Sequence, residues 1–484
     1  MQRAGTHVDS TGLSGPVVTF VGLMLLASAP LIRGGNRHVA ILMLEWLALL
    51  LLPVLAWRLT SASAGSDRRS MWMAVLAMAP LWIGLIQLTP LPPPLWDLLP
   101  GRATYSRALE VMQMNNSVQW RPVSLMPDAT WLSLLAGLPV AAALLLGWVV
   151  TDAQLRLLAR GVVWFAFFQS VVGLLQVGLL RELYFGALAY DRAIGTFANP
   201  NHFASYLAMA VPLAIYFLRA TMVGTTQSRR AAEYSHRQHG RHGSGAGRQV
   251  AMGVWSAVLF FLLAGLLASL SRGGITSGLV AGTATIMLLP FKEESRRNRA
   301  WRVLAIAAIG AAVAAVVGLD GLMQRMTGSG HGSDGLTRWQ LFQATWQGVV
   351  TFWPIGSGLG SYAGVFPRFQ PVGLTGFAEY AHSDYIQLLM EGGLPVVLLG
   401  ALAAWLIVAQ LNALRRHLGR HPADSFSWLQ ACCGFGVLAV FLHSWFDFNL
   451  RIPANAILAA FLLGGFLRPV RRRATGEAAL ASAQ

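Results

Sequence analysis

The sequence has few charged residues and almost no cysteine for its length. Asp, Glu, Lys and Arg make up 12% of the 484 residues, about half of their share in an ordinary globular domain. With a mean hydropathy of +0.54, this composition excludes most soluble enzymes and any disordered scaffold. The two cysteines, Cys432 and Cys433, are neighbours in an apolar run, so the sequence has neither a disulfide framework nor a zinc spacing.

Familiar nucleotide-binding and hydrolase motifs are also missing. No Walker loop, Rossmann glycine fingerprint, HExxH or GxSxG stands in a suitable context. The segment Gly356-Ser-Gly-Leu-Gly360 is rich in glycine, but it follows Trp353-Pro354 with no strand before it, so we interpret it as turn structure. We predict no cofactor and no metal site.

The formal net charge of +16 could indicate nucleic-acid binding, but the basic residues lie between hydrophobic runs, which argues against nucleic acid. About twelve runs approach the roughly 20 residues that cross a bilayer. Because backbone in lipid must satisfy its own hydrogen bonds, these runs predict an all-α polytopic membrane protein. The predicted spans are residues 17–32, 39–57, 71–89, 130–150, 161–180, 202–218, 251–270, 275–290, 303–318, 393–412, 428–446 and 453–467.

The first run could end a signal peptide, since Ala27-Ser28-Ala29 resembles a cleavage site. Pro30 follows directly and opposes cleavage, so we interpret the run as an uncleaved first span. With the N-terminus inside, the cytoplasmic segments hold 24 of the 36 Lys and Arg residues. The positive-inside rule therefore predicts that both termini are cytoplasmic.

This topology predicts a single membrane domain over residues 17–468 with two long outside loops. The predicted tails are residues 1–16 and 469–484, the outside loops are 90–129 and 319–392, and a basic cytoplasmic loop covers 219–250. The histidines of 219–250 could bind metal, but a solvated linker fits that Gly/Ser/His/Arg composition better. Loop 319–392 carries an amphipathic helical pattern near 336–350, and its aromatic content argues against disorder.

Outside arginines run against the positive-inside bias and are therefore informative. Arg272 lies in a very short turn between two spans, and Arg192 precedes the sixth span. Asn199 or Asn201 can cap that span, whose positive end would face outward. Guanidinium groups bind phosphates in bidentate fashion, so Arg192 and Arg272 predict an anion site, and lipid-headgroup contact is the alternative.

A second candidate group stands where the long loop returns to the membrane. His382 lies between Tyr380 and Asp384, and a histidine is a natural general base. Asp384 or Glu379 could orient its ring, and a hydrogen-bonded structural histidine is the alternative. His443, with Asp447 and Asn449, we interpret as a polar network that ties helices together.

Several segments together resemble one known family. They are Arg192-Ala-Ile-Gly-Thr-Phe-Ala-Asn-Pro-Asn-His-Phe203, Ser271-Arg272-Gly-Gly, Trp353-Pro-Ile-Gly-Ser-Gly-Leu-Gly-Ser-Tyr362, Tyr380-Ala-His-Ser-Asp-Tyr-Ile-Gln-Leu-Leu-Met-Glu-Gly-Gly-Leu394 and His443-Ser-Trp-Phe-Asp-Phe-Asn449. In order and spacing they resemble the O-antigen ligase/polymerase superfamily, over residues 70–468.

The resemblance implies a GT-C-like membrane glycosyltransferase of the bacterial inner membrane. Its donor would be an undecaprenyl-diphosphate-linked glycan, and its acceptor lipid A-core or another glycan, among membrane lipids. The implied catalytic residues are His382 as base, and Arg192 and Arg272 on the diphosphate. We place six further residues at the substrate: Arg338, Asn199, Asn201, Tyr380, Asp384 and Glu391.

Three functions remain open at this level. An O-antigen ligase and a repeat-unit polymerase, of O-antigen or exopolysaccharide, share a metal-independent inverting transfer and differ in the acceptor. A polysaccharide transporter would instead need ionisable residues near mid-membrane, where Glu45 is the main acid.

Overall fold

The computed structural model describes residues 14–62, 68–112, 120–178, 192–235, 244–289, 333–374 and 376–470. Within these ranges the chain is almost entirely helical, which confirms the predicted all-α class. The two strands in this part of the chain, β1 (Pro90–Leu91) and β2 (Arg121–Pro122), form one short antiparallel pair.

The described residues form a series of α-helices. In chain order they are α1 (Ser14–Ser28), α2 (His38–Ala62), α3 (Arg68–Leu88), α4 (Pro93–Asp97), α5 (Ala103–Val111), α6 (Pro127–Val149), α7 (Asp152–Gly178), α8 (Pro200–Ser235), α9 (Ser244–Ala268), α10 (Arg272–Leu288), α11 (Ser333–Phe352), α12 (Tyr362–Val365), α13 (Asp384–Arg420), α14 (Ser425–His443) and α15 (Pro453–Leu467). The amphipathic pattern predicted near 336–350 corresponds to α11.

Eight of the described helices are long and apolar enough to cross a membrane: α2, α3, α6, α7, α8, α9, α13 and α14. Helices α1, α10 and α15 coincide with predicted spans but have only 15, 17 and 15 residues. The predicted span at 303–318 lies outside the described residues. The total of about twelve spans and the domain bounds therefore stay predictions.

Small residues allow the central helices to approach closely. Helices α6 and α15 meet at Gly147 and Gly464, where an added Cβ would run into backbone atoms of the opposite helix. Such small-residue contacts are typical of packing between membrane helices, where lipid supplies no hydrophobic drive for association.

The family-like segments lie at one end of the helical bundle, which we call the site face. It comprises residues 29–37, 192–199, 269–271, 353–383 and 444–452. Cross-connections hold these segments together: Thr196 Oγ1 donates to the Pro30 carbonyl, and Asp384 N donates to the Ser444 carbonyl at 3.0 Å. The site face is therefore a packed surface assembled from distant parts of the chain.

The two predicted outside loops also pack against each other. Arg102 is fully buried and donates to the carbonyls of Val123 at 2.6 Å and Gly356 at 2.9 Å. Leu125 N donates to the Ser357 carbonyl at 2.9 Å. Residues 90–129 thus support the turn that precedes the His382 segment.

Candidate active site

The segment that carries Arg192 is fixed by buried amides from α7. Gln176 Nε2 donates to the Gly195 carbonyl at 2.7 Å, and Gln169 Oε1 accepts from Thr196 N at 2.9 Å. Helix α8 then begins at Pro200, and Asn199 Oδ1 accepts from the Asn201 backbone N at 2.8 Å. Asn199 therefore caps α8. The sequence alone leaves Asn199 and Asn201 as alternatives for this cap.

The turn that carries Arg272 lies beside this segment. Ser271 caps α10 by accepting from Gly274 N at 3.2 Å. Ala193 N donates to the Ala268 carbonyl at 3.0 Å, which joins the two arginine-bearing turns. The Arg192 and Arg272 side chains are both exposed and form no hydrogen bond or ion pair within the described ranges, so their charges are available to a ligand.

Arg338 approaches the same region from α11. Its Nη1 donates to the Phe446 carbonyl at 3.4 Å, just beyond the end of α14, and its charge acts on His443. Gly273, next to Arg272, faces that same ring: an added Cβ would lie 2.6 Å from His443 Cδ2. The end of α14 is thus the place where the Arg272 turn and Arg338 meet.

Asp447 is the carboxylate at the centre of the site. Its side chain is 1% exposed, and its Oδ1 lies 3.6 Å from His382 Nδ1 and 3.8 Å from His202 Nε2. Asn201 Nδ2 donates to its Oδ2 at 2.6 Å, and Phe448 N donates to its Oδ1 at 2.9 Å. Burial alone would raise the pKa of Asp447, but the neighbouring histidines hold the pKa well below its usual value. The carboxylate is therefore ionised at neutral pH.

His382 sits between this carboxylate and a cavity. Its backbone φ is +53°, in the left-handed region that a non-glycine residue enters only when its surroundings enforce it, often at a functional site. Its Nδ1 is buried and faces Asp447, whereas the side chain as a whole is 33% exposed. The second ring nitrogen is thereby the one available to the cavity.

The cavity has a volume of about 440 Å³ and mixed aromatic and polar walls. The Phe448 ring stacks on Tyr380 with centroids 4.2 Å apart and meets the edges of the His202 and His382 rings. The other polar lining residues are Arg33, Asn36, Asn199 and Glu379. This combination of ring faces and hydrogen-bonding groups suits a polar organic ligand such as a sugar.

Two of the predicted substrate residues lie elsewhere. Asp384 is fully buried, and its Oδ2 accepts from Leu450 N at 2.8 Å. Glu391 is also fully buried, with its Oε2 2.6 Å from Arg451 Nη2. Neither residue lines the 440 Å³ cavity. Of the predicted residues, Asn199, Tyr380 and His382 line this cavity. Asn201 donates to Asp447 beside it, whereas Arg192, Arg272 and Arg338 lie at the same end of the bundle but do not line the cavity.

The residue that faces His382 is Asp447, rather than either candidate partner named from the sequence. Asp384 is the second residue after His382, but its carboxylate points to the backbone of Leu450. His202 and Asp447 were not assigned to the site from the sequence, although both lie in the family-like segments. In the sequence, each of the two is a polar residue in an apolar context. That pattern also fits a hydrogen-bond network between helices.

Long apolar helices with a polar, arginine-rich cluster at one end define this chain as a multi-pass membrane protein. Among protein-family models, the one described as O-Antigen ligase matches residues 257–401. This match confirms the resemblance identified from the motifs and supports membership of the O-antigen ligase superfamily. The matched range contains Arg272, Arg338 and His382. No curated protein matches the chain.

Proposed function

We propose that this protein transfers a glycan from an undecaprenyl-diphosphate carrier to an acceptor hydroxyl at the periplasmic face of the bacterial inner membrane. The observation that supports this most strongly is the His382–Asp447 pair at the edge of a cavity, at the same end of the bundle as the turns that carry Arg192 and Arg272. Cations suited to a diphosphate thus share one end of the bundle with a base suited to a hydroxyl, in a chain whose residues 257–401 match the O-antigen ligase model.

The arginines would act on the leaving group. Arg192 and Arg272 are exposed on adjoining turns, and Arg338 lies close to the second of them. As the bond between the anomeric carbon and the diphosphate oxygen breaks, that oxygen keeps the electron pair and gains negative charge. A positioned donor of this kind contributes roughly 2.7–4 kcal/mol to the transition state.

His382 would act on the nucleophile. The acceptor oxygen attacks the anomeric carbon, and its proton moves to the exposed nitrogen of the His382 ring. Asp447 lies 3.6 Å from the other ring nitrogen, where it can orient the imidazole and stabilise the imidazolium. Such hydrogen bonds are often long before substrate binds and tighten in the complex. Asp447 is therefore a positioning residue in this proposal.

The transfer would invert the anomeric configuration and proceed without a metal. Attack from the side opposite the diphosphate requires one displacement and no covalent glycosyl-enzyme. The arginines supply the positive charge that a metal supplies in other transferases. Full activity in EDTA and an inverted linkage in the product are the expected results.

The orientation of the site also belongs to this proposal. The cytoplasmic excess of basic residues predicts that both termini lie inside. With that orientation, the site face lies on the periplasmic side. Labelling of a cysteine introduced at Val372, which is fully exposed on the site face, by an impermeant reagent added to whole spheroplasts tests this assignment.

The decisive experiment uses the full chain in proteoliposomes with a lipid-linked glycan and an acceptor. We expect release of undecaprenyl diphosphate together with a new glycosidic product, and loss of both with His382→Ala at normal protein levels. Movement of intact lipid-linked glycan across the bilayer without release of diphosphate would contradict the proposal and favour a transporter.

The acceptor is a separate question with its own measurement. In a deletion strain, absence of all long chains from lipid A-core is expected for a ligase. Single repeats on the core are expected for a polymerase. We propose the ligase, and a single-repeat profile would replace it with the polymerase.

A further inference from the structure

Helix α11 and the residue that follows it carry exposed apolar side chains, which we call the tryptophan stripe: Trp339, Trp346 and Val350 on the helix, and Trp353 just past its end. Each is between 43% and 63% exposed. Seven residues make almost two turns, so Trp339 and Trp346 lie above one another about 10 Å apart. A row of large apolar side chains on a described surface requires a partner.

The remainder of α11 is divided into two other sectors. Leu341, Ala344, Val349 and Phe352 are buried against Tyr362, Phe366 and Met390. Gln340 and Gln347 are exposed about a quarter-turn round the helix from the tryptophan stripe, and Gln343 is exposed at its edge between Trp339 and Trp346. The helix thus presents a core face, an uncharged apolar face and an amide face, and this three-sector pattern is typical of a helix that lies in a membrane interface.

Both ends of α11 are attached at the outer ends of membrane-spanning helices. At its beginning, Arg338 Nη1 donates to the Phe446 carbonyl, three residues after α14 ends. Just past its end, the Pro354 carbonyl accepts from Leu394 N at 2.7 Å. Leu394 follows Gly393, whose φ of +57° marks a kink in α13. Because both attachment points lie near the same end of the bundle, a helix of about 30 Å between them would run across that end rather than along the bundle axis.

Exposed apolar side chains on or just beyond the neighbouring membrane-spanning helices also stand near both attachment points of α11. Leu394 and Leu398 on α13 are 40% and 62% exposed, and Trp445 and Phe446 beyond α14 are 58% and 62% exposed. These groups flank the two ends of α11. Tryptophan is enriched at membrane–water interfaces, where its ring is apolar and its N–H stays hydrated.

We propose that α11 lies flat in the lipid–water interface of the site face, with the tryptophan stripe in the headgroup region of the bilayer and the glutamine row in water. The partner of this surface is the phospholipid bilayer. A neutral oligosaccharide is the competing occupant, because tryptophan rings also stack on sugars, but the exposed Leu394 and Leu398 near the end of α11 favour lipid. The inference does not depend on the proposed transferase activity.

The test is cysteine labelling of the full chain in proteoliposomes. Single cysteines replace Trp339 or Trp346 in the stripe, and Gln340 or Gln347 in the amide row of the same helix. Because the thiolate is the form that reacts with maleimide, labelling by a water-soluble maleimide should be roughly tenfold slower in the stripe. Cys432 and Cys433 are fully buried, so the unsubstituted protein measures the background.

Spin labels at the same four positions provide a second measurement. Stripe positions should be more accessible to oxygen than to a nickel chelate, with the opposite order at Gln340 and Gln347. Equal labelling and equal accessibility in the two rows would overturn the proposal. Stripe labels that become protected only when a neutral oligosaccharide is added would also overturn it. All four substitutions are on exposed positions, and the unlabelled variants are checked for monodispersity.

Discussion

Two buried carboxylates, one on the site face and one just behind it, have contrasting surroundings. Glu391 is paired with Arg451 at 2.6 Å and also accepts from Tyr362 N and Gln387 Nε2. Asp447 is as deeply buried, but its two histidine neighbours stay at 3.6 and 3.8 Å. The first carboxylate has a permanent cation and belongs to the scaffold. The second faces groups that can gain and lose a proton, beside a cavity.

The contrast separates stability from catalysis within one end of the helical bundle. Burial alone would lower the pKa of Arg451, but Glu391 raises the pKa above its usual value, so this pair stays charged. Removing one partner would leave the other charge buried and unpaired. At Asp447, Asn201 and the Phe448 amide already satisfy part of the carboxylate, so neutralising it should affect chemistry more than folding.

The largest expected effect is that of Asp447→Asn on transfer. We expect the rate to fall by roughly 10²–10⁴-fold, because the His382 ring loses its orienting carboxylate and the stabilisation of its protonated form. The rate is measured as diphosphate release in proteoliposomes, and the melting temperature should stay close to that of the wild type. An unchanged transfer rate would show that Asp447 takes no part in the mechanism. Asp447 would then be a scaffold carboxylate like Glu391.

Glu391→Gln should show the opposite behaviour. Breaking a buried ion pair costs about 3–5 kcal/mol of unfolding free energy, which should appear as a clear drop in melting temperature. The specific rate of the folded fraction should remain within a fewfold of the wild type. Asp128→Asn is the matched control, since Asp128 is exposed on α6, and it should leave the melting temperature almost unchanged. A stable but inactive Glu391→Gln protein would contradict the assignment of Glu391 to stability rather than catalysis.

Arg272→Gln tests the cationic side of the site. If Arg272 holds the leaving diphosphate, transfer should fall by roughly 10²–10³-fold, the usual loss for one transition-state donor. Arg107 is exposed on α5 and, among the described residues, donates to the Ala103 carbonyl of its own helix, so Arg107→Gln should transfer normally. Equal effects of the two substitutions would show that general surface charge is responsible.

The smallest effect is expected from Gly273→Ala. The new methyl group would press on the His443 ring, and overpacking of this kind costs about 1–3 kcal/mol. Gly253→Ala is the matched control, because nothing lies within 4 Å of a Cβ at that position. A lower melting temperature is expected only for Gly273→Ala. Identical melting temperatures for the two variants would show that the His443 ring can move aside without loss of stability.

Much of the fold follows from the sequence because the bilayer acts locally. An apolar run long enough to cross lipid must be a helix, whatever its neighbours. The runs at 39–57, 71–89 and 130–150 accordingly became α2, α3 and α6. The run at 393–412 was predicted without its first nine residues, since α13 begins at Asp384 and kinks at Gly393.

The candidate site was predicted in its residue types and less well in its pairings. His382 and the three arginines were identified because charged and titratable groups at helix ends stand out against an apolar background. Asp384 was chosen as a partner because it is near in sequence. At the start of a helix, however, two residues are enough to turn a side chain away, and Asp384 faces Leu450 instead.

The sequence by itself determined that this chain is a helical membrane protein and predicted arginines and a histidine near the ends of its helices. Hydropathy and charge act position by position, so those features can be read without a fold. Only the tertiary structure decided that Asp447 faces His382 and that Glu391 faces Arg451. Asn201 and Asp447 are 246 positions apart in the chain, and they meet because α8 packs against α14. The choice of partner for each buried charge therefore depends on helix packing.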